Sequence, residues 1–283
     1  MTEKDPLVKH LPSDPLPEGA PRPKIKDTEH IEVFSVGNES AVLVVAHRKR
    51  ETLITQPWVS TRDDDFLAQQ LVRTIRSLYI EPDKPVAIQV DASQTALHRA
   101  LRGQGAVISS QVMTKPVDSN NVVPAPAGDV HPRDMNDDEV ESFLAATEDE
   151  FARSLLENSA DPSDWDGARA KSRGAFEAVV PEGGRTPGHL FLVIEDDEGE
   201  KVALLWVALD AETKQSYCYK IEVEAAKRRL GFGRKTVAIW EGYAVGQGAV
   251  SMGLNVFGNN LAAQGLYVGA GFTVATTLFR AER

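Results

Sequence analysis

The chain has 283 residues, 42% of them apolar, and a formal net charge of −11. That length allows one large domain or two of ordinary size, and no apolar run is long enough to span a bilayer as a helix. The acidic balance argues against a non-specific nucleic-acid binder, which needs a basic surface; it suits an amine-bearing, cationic partner but speaks mainly to solubility.

Residues 1–29 carry six prolines and alternating charges and are expected to form a flexible arm. Met1 to Pro23 lacks the apolar stretch of a signal peptide, so a cytoplasmic protein is expected. Strands are predicted at Ile31 to Val36, Ala41 to His47 and Thr52 to Val59, with turns at Asn38-Glu39 and Lys49-Arg50. Asp63 to Leu78 has apolar residues near helical spacing. A strand (Val86 to Val90), a short helix (Gln94 to Arg102) and a strand (Ala106 to Met113) follow, then a linker at 117–128 containing Pro124, Pro126 and Gly128.

The second half opens with helices at Asp137 to Glu157 and Trp165 to Val179. Two apolar strands, Leu190 to Ile194 and Val202 to Leu209, flank the acidic run Glu195 to Glu200, read as a solvated hairpin turn rather than a cation loop. Then come a strand (Tyr217 to Val223), a glycine loop, a helix (Arg234 to Val245), a strand (Ser251 to Val256), a short helix (Leu261 to Val268) and a last strand (Phe272 to Leu278). Sliding residues 88–113 onto 254–279 without a gap brings Gly103 onto Gly269, Gly105 onto Gly271, Leu101 onto Tyr267 and Met113 onto Phe279. An internal duplication is inferred.

The copies differ where chemistry is expected. Arg228-Arg229-Leu230-Gly231-Phe232-Gly233 joins a strand to a helix N-terminus, which puts unpaired backbone N–H groups and a positive dipole end where a phosphate can sit. The first copy has Thr61 to Leu67 there, with three aspartates that would repel a pyrophosphate and no glycine. Cys218 is the one cysteine, so no intrachain disulfide or cysteine zinc site can form; it reads as a small core residue rather than a nucleophile. The histidines His10, His30, His47, His98, His131 and His189 lack metal-ligand spacing, and no metal is expected. Trp165, Trp206 and Trp240 read as core or pocket-wall aromatics.

The Arg-x-x-Gly-x-Gly loop, the helix pair and hairpin before it, the strand ending Ile221-Glu222-Val223 and the closing run Asn260 to Phe272 resemble the GNAT N-acetyltransferase superfamily, over about Asp129 to Phe279. Leu230 departs from the family's small or polar residue. The resemblance implies an α/β fold with a mixed, mostly antiparallel sheet flanked by helices, arranged as two tandem GNAT-like halves. Residues 30–116 would be a degenerate domain and 129–283 the catalytic one. It also implies direct transfer of acetyl from acetyl-CoA to a primary amine on a small molecule or peptide, the acceptor entering where the helices of Asp137 to Val179 meet two splayed strands. Arg228, Arg229, Leu230, Gly231, Phe232, Gly233 and Arg234, with Lys235 nearby, would hold the pyrophosphate; Ile221 and Val223 would contact pantetheine, the Val223 N–H serving as oxyanion donor.

Tyr267 sits at the family's general-acid position, from which it would protonate the departing sulfur; a packed helix tyrosine is the alternative reading of the residue. Asn260 would cap its helix or hold water by the cofactor. The general base is open: Asn255 stands where some members have a glutamate, and Glu222 is the nearest substitute, unless it is an ordinary exposed strand residue. A homodimer is left open, as is a catalytically weak CoA-binding regulatory or interaction protein.

Overall fold

The fold is that of a computed structural model, which describes residues 8–11, 30–36, 41–47, 52–61, 63–79, 86–117, 129–158 and 164–280. The turns expected at 38–39 and 49–50, most of the arm and most of the linker lie outside the described residues. In chain order the strands and helices are β1 (Val8–Leu11), β2 (His30–Val36), β3 (Ala41–His47), β4 (Thr52–Val59), α1 (Asp65–Tyr79), β5 (Val86–Asp91), α2 (Thr95–Gly103), β6 (Val107–Pro116) and β7 (Val130–Asp134). They continue with α3 (Asp137–Asn158), α4 (Trp165–Val179), β8 (His189–Asp196), β9 (Lys201–Leu209), β10 (Gln215–Val223), α5 (Phe232–Gly246), β11 (Ser251–Phe257), α6 (Leu261–Gly269) and β12 (Thr273–Arg280).

Among the described residues twelve strands join one sheet, in the order β1-β2-β3-β4-β5-β12-β6-β11-β10-β9-β8-β7. Only β4/β5 and β10/β11 pair in parallel; the other neighbours are antiparallel. The segments 30–116 and 129–283, expected as two domains, therefore interleave: β12 lies between β5 and β6, and β6 lies between β12 and β11.

The middle of the sheet has a local two-fold. Gln111 pairs with Thr277, Ser110 with Leu278 and Val112 with Thr276, and the Gln111 amide donates to the Thr277 hydroxyl at 3.3 Å across a sequence separation of 166. That separation is the offset at which the two sequence copies superpose. The flanking pairs repeat it: Val256 opposes Gln111 on one side and Thr277 opposes Val90 on the other. Even the register shifts correspond, each falling beside Ser109 or Ala275, and these two carbonyls accept from Gly258 and Ala92 at 2.8 Å each.

Apolar burial follows the same scheme. One core joins Met113, Cys218, Val237, Trp240, Leu254, Tyr267 and Phe272, which places α5 and α6 over the C-terminal strands. A second joins Leu71, Ile75, Leu97 and Leu101 of α1 and α2 to Ile54, Ile88 and Phe279. Phe279 belongs to β12 yet fills the N-terminal core, as Met113 of β6 fills the C-terminal one. On the opposite face a third cluster sets Phe143 and Phe176 of α3 and α4 against Phe191 and Trp206.

Two elements differ from expectation. Val8–Leu11, inside the expected flexible arm, forms β1 against β2. Val130–Asp134 forms the edge strand β7, where Pro132 and charged neighbours conceal the strand pattern; an edge tolerates both. The 22-residue helix α3 starts at a reciprocal cap, Asn136 accepting from the Glu139 N–H and Glu139 from the Asn136 N–H, each at 2.9 Å.

Truncating Phe279 to alanine removes a fully buried ring from the N-terminal core and is expected to cost about 3–5 kcal/mol. Because β12 joins both halves, urea unfolding followed by tryptophan fluorescence and by circular dichroism should shift together in that variant.

Candidate active site

Strands β10 and β11 pair from Gln215/Ser251 to Cys218/Leu254 and no further, although both continue, to Val223 and Phe257. A register shift against β9 falls at the same level, between Cys218 and Lys220. Beyond it, the Glu224 N–H bonds to the Val202 carbonyl at 2.9 Å. In an antiparallel ladder this phase turns the peptide groups of Glu222 and Lys220 toward β9 and those of Ile221 and Val223 the other way. Ile221 and Val223 thus present backbone groups to the β11 side, where their strand has lost its partner. The Val223 carbonyl accepts from Arg228 Nε at 3.1 Å.

The glycine loop lies at the mouth of this split. Arg229 and Gly231 have positive φ, 65° and 92°, a conformation that glycine adopts without strain. Gly231 is the N-cap of α5 and offers no capping side chain; the N–H groups of Leu230 to Gly233 have no acceptor among the described residues. The helix begins at Phe232, two residues before its expected start. A Cβ on Gly233 would stand 3.2 Å from Leu266 and 3.6 Å from Val223, so the missing side chain is what lets α5, α6 and β10 converge. Arg229 and Arg234 are exposed, and Leu230 is 61% exposed. Lys235, beside the loop, is paired with Asp129 and lies 5.0 Å over the Phe232 ring.

A brace holds the loop from below. Lys227 Nζ bonds Asp196 at 2.8 Å and approaches Glu200 at 3.4 Å, while Asp196 Oδ1 accepts from the Glu200 N–H at 2.9 Å. Asp196 is only 7% exposed. The acidic run is the exposed hairpin turn expected between β8 and β9, and its buried first carboxylate, Asp196, also anchors the loop opposite. The bond from Lys227 holds the Asp196 carboxyl below its ordinary value, so this contribution to stability is present above the usual carboxylate range and is lost as pH falls through the depressed value.

Tyr267 projects from α6 into the core at the root of the split, 8% exposed, edge-on to Phe272 at 5.7 Å. Its hydroxyl has no hydrogen-bond partner among the described residues, an uncommon condition for a buried phenol. Burial, with the neighbouring Cys218, pushes its pKa well above 10. Asn260 caps the same helix, its Oδ1 accepting from the Ala263 N–H at 3.1 Å. Cys218 is buried where pairing ends, and burial raises its thiol strongly; it has the environment of an inert core residue.

The base candidates occupy the other face. Ile221 and Val223 pack on the α5 side, so Glu222 points to the face of α3 and α4. There Lys220 bridges it, at 3.3 Å, to Glu150 of α3. Asn255 is exposed and pairs with Val112. Tyr217 and Tyr219 stand edge to face at 4.9 Å on this side, and Tyr219 stacks on Trp206 at 4.6 Å. Trp206 donates to His189 Nδ1 at 2.9 Å and Trp240 to Ser216 at 2.8 Å; both are core residues, whereas Trp165 is exposed. A cleft of about 560 Å³ lies at the outer edge, between the starts of α3 and β8, and none of the site residues lines it. Among the described residues, no three His, Cys, Asp or Glu side chains gather as metal ligands, and no helix is long and apolar enough to cross a membrane.

Two groups that ionise only at high pH, Cys218 and Tyr267, are held protonated by the fold. Their stabilisation is complete below the ordinary thiol value and declines as pH rises. Urea midpoints should therefore fall between about pH 9 and 11, less steeply in Cys218→Ala. At pH 8 the native thiol should resist an aromatic disulfide reagent and react only once the chain is unfolded.

Residues 141–272 match the Acetyltransferase (GNAT) family model. An uncharacterized N-acetyltransferase of Bacillus subtilis (strain 168), YdgE, is 27% identical over 153 residues, 53% of this chain and 95% of that protein. A second from the same organism, YycN, is 26% identical over 142 residues, 49% of this chain and 88% of that protein. A GCN5-related N-acetyltransferase structure from Sphaerobacter thermophilus superposes with a TM-score of 0.54 at 18% identity, over 92% of this chain and 82% of that one, so the fold likeness extends beyond the matched half. The C-terminal half, over residues 141–272, is thus similar to the GNAT acetyltransferase family.

Proposed function

We propose that the chain transfers acetyl from acetyl-CoA to a primary amine, using the split between β10 and β11 as its donor site. The observation that carries this reading is the opening of the ladder beyond Cys218 and Leu254, beside a glycine-capped helix N-terminus with unbonded N–H groups. Three features suit a coenzyme A thioester: an anion cradle at Leu230 to Gly233, outward peptide groups at Ile221 and Val223, and an orphaned phenol at the root. When bound, the thioester supplies an activated acyl carbon and a thiolate leaving group.

The residues then divide the work. Gly231, Phe232 and Gly233 receive the pyrophosphate through their N–H groups, with Arg228, Arg229 and Arg234 adding charge. The Ile221 peptide aligns the pantetheine arm. The Val223 N–H donates to the carbonyl oxygen as charge develops on it, the kind of preorganised donor that acyl transfer rewards. The amine nitrogen forms its bond to the acyl carbon, the C–S bond breaks, and the Tyr267 hydroxyl gives its proton to the departing sulfur. A phenol is protonated across neutral pH at its ordinary value; burial raises that of Tyr267 further and makes it a weaker acid, so its donation relies on the charge developing on the sulfur. On the opposite face Glu222 takes the proton from the amine, directly or through water, while Asn255 orients the acceptor. Asn260 acts on this site by fixing the start of α6.

Calorimetric titration of acetyl-CoA into the wild type and Gly233→Glu tests the donor site. Binding is expected in the first and loss in the second, where a carboxylate would enter the anion cradle; no binding by the wild type would sink the reading. In an amine-library assay Tyr267→Phe should lower kcat about 10²-fold with donor binding retained. Binding without transfer to any amine would favour a regulatory CoA-binding protein. Glu222→Gln should remove the acidic limb of the kcat/KM profile; an unchanged profile would leave Glu222 as an ordinary strand residue.

A further inference from the structure

The local two-fold reaches past the strands. Helices α2 and α6 correspond end to end at the same offset, 95–103 onto 261–269. Their N-cap residues, Gln94 and Asn260, have nearly the same backbone, φ −84° and ψ 64° against φ −88° and ψ 67°. The side chains part company. Asn260 is exposed and caps its own helix through Ala263. Gln94 is one methylene longer, makes no cap bond and is 4% exposed. Its Oε1 accepts from the Val59 N–H at 3.2 Å.

Val59 ends β4 opposite Ala41, as Val223 ends β10 opposite Ala203. The parallel pairing of β4 with β5 also stops early, at Thr55/Gln89. The N-terminal half thus contains the same split, and Gln94 lies across it with an amide carbonyl on the counterpart of the proposed oxyanion donor. The mouth is closed as well. Asp64 caps α1 by accepting from the Leu67 N–H at 3.0 Å, where its counterpart Gly231 has no side chain. Asp63 takes the Thr95 hydroxyl and Asp65 takes Arg99 Nε and Nη2 at 3.1 and 2.9 Å, which clamps α2 to the loop. Leu101, buried in the core, stands where α6 has Tyr267.

We infer that Gln94 is a built-in occupant of the N-terminal split, and that this half is a locked copy whose task is to present β6 to the catalytic strand β11. Beyond Leu254, β11 has no β10 partner and is held by β6 at Asn255, Val256 and Phe257. An open split in the N-terminal half would leave the β5-β12-β6 ladder, and through it β11, less firmly fixed. The split is therefore filled from within rather than by a second ligand. This inference rests on the acetyl-CoA reading only for its stoichiometry.

Two measurements on the full chain test it. Hydrogen exchange at the Val59 amide should accelerate about fivefold in Gln94→Leu, which removes the acceptor, and stay slow in Gln94→Glu, which keeps one. Unchanged Val59 protection in Gln94→Leu would overturn the plug, whatever happens at the C-terminal site. Calorimetry with coenzyme A should give one site per chain in the wild type and none in Gly233→Glu. Two sites, or one surviving in Gly233→Glu, would overturn the locked copy. No binding by the wild type, with Val59 exchange behaving as expected, would overturn the donor-site reading alone and leave the plug supported.

Discussion

The antiparallel pairing of β6 with β12 is the constraint on which everything else depends. Each strand belongs by sequence to one half and contributes a buried side chain to the core of the other: Met113 completes the core beneath α5 and α6, and Phe279 the core beneath α1 and α2. Because the register centres on Gln111 and Thr277, a slip by one residue would invert both side chains at once and empty both cores. The two bulges beside Ser109 and Ala275 pin that register from either side. The result is a sheet without a seam, in which β11 can lose its β10 partner beyond Leu254 and still be held along its other edge.

The site is built from what the sheet does not satisfy. A parallel ladder that stops while its strands continue leaves peptide groups facing outward, and a helix that starts on Gly231 leaves its first N–H groups open. Tyr267 adds a hydroxyl without a partner. Each is a local shortfall of hydrogen bonding at the edge of a well-packed core, and all of them lie on or beside the split between β10 and β11. The N-terminal copy has the same geometry with each shortfall repaired: Gln94 on Val59, Asp64 on the first turn of α1, leucine in place of tyrosine. The contrast between copies is a contrast between satisfied and unsatisfied polar groups on one backbone plan.

Much of this was legible in the sequence because the relevant signals are local or periodic. Short strand-like runs gave β3 and β4 their observed bounds, the run Trp165 to Val179 gave α4, and the gapless offset of 166 coincides with the register of the central ladder. Other features depend on partners remote in sequence. The strand at Val130–Asp134 has no apolar period, because an edge strand buries little. Lys227 and Asp196 carry no mark of their pairing, since a charged loop and a charged turn read as solvent-facing until the fold brings them together. Gln94 is similarly mute: a glutamine before a short helix suggests a weak cap, and its real acceptor role requires knowing where β4 ends. That β12 would cross to the other half was hidden for another reason, since a period-two pattern states which face a residue takes and not which neighbour it finds.

The placement of β12 also bears on how the protein is made. A ribosome delivers β4 and β5 early, yet the strand that fills the gap between β5 and β6 is the last of the twelve to emerge. Until Thr273–Arg280 arrives, β5 and β6 each keep a bare edge, and the N-terminal core lacks the ring of Phe279. Such edges invite pairing with other nascent chains. Vectorial synthesis therefore leaves the first half of this protein waiting on the second, and its yield in a cell should depend on how well that interval is guarded.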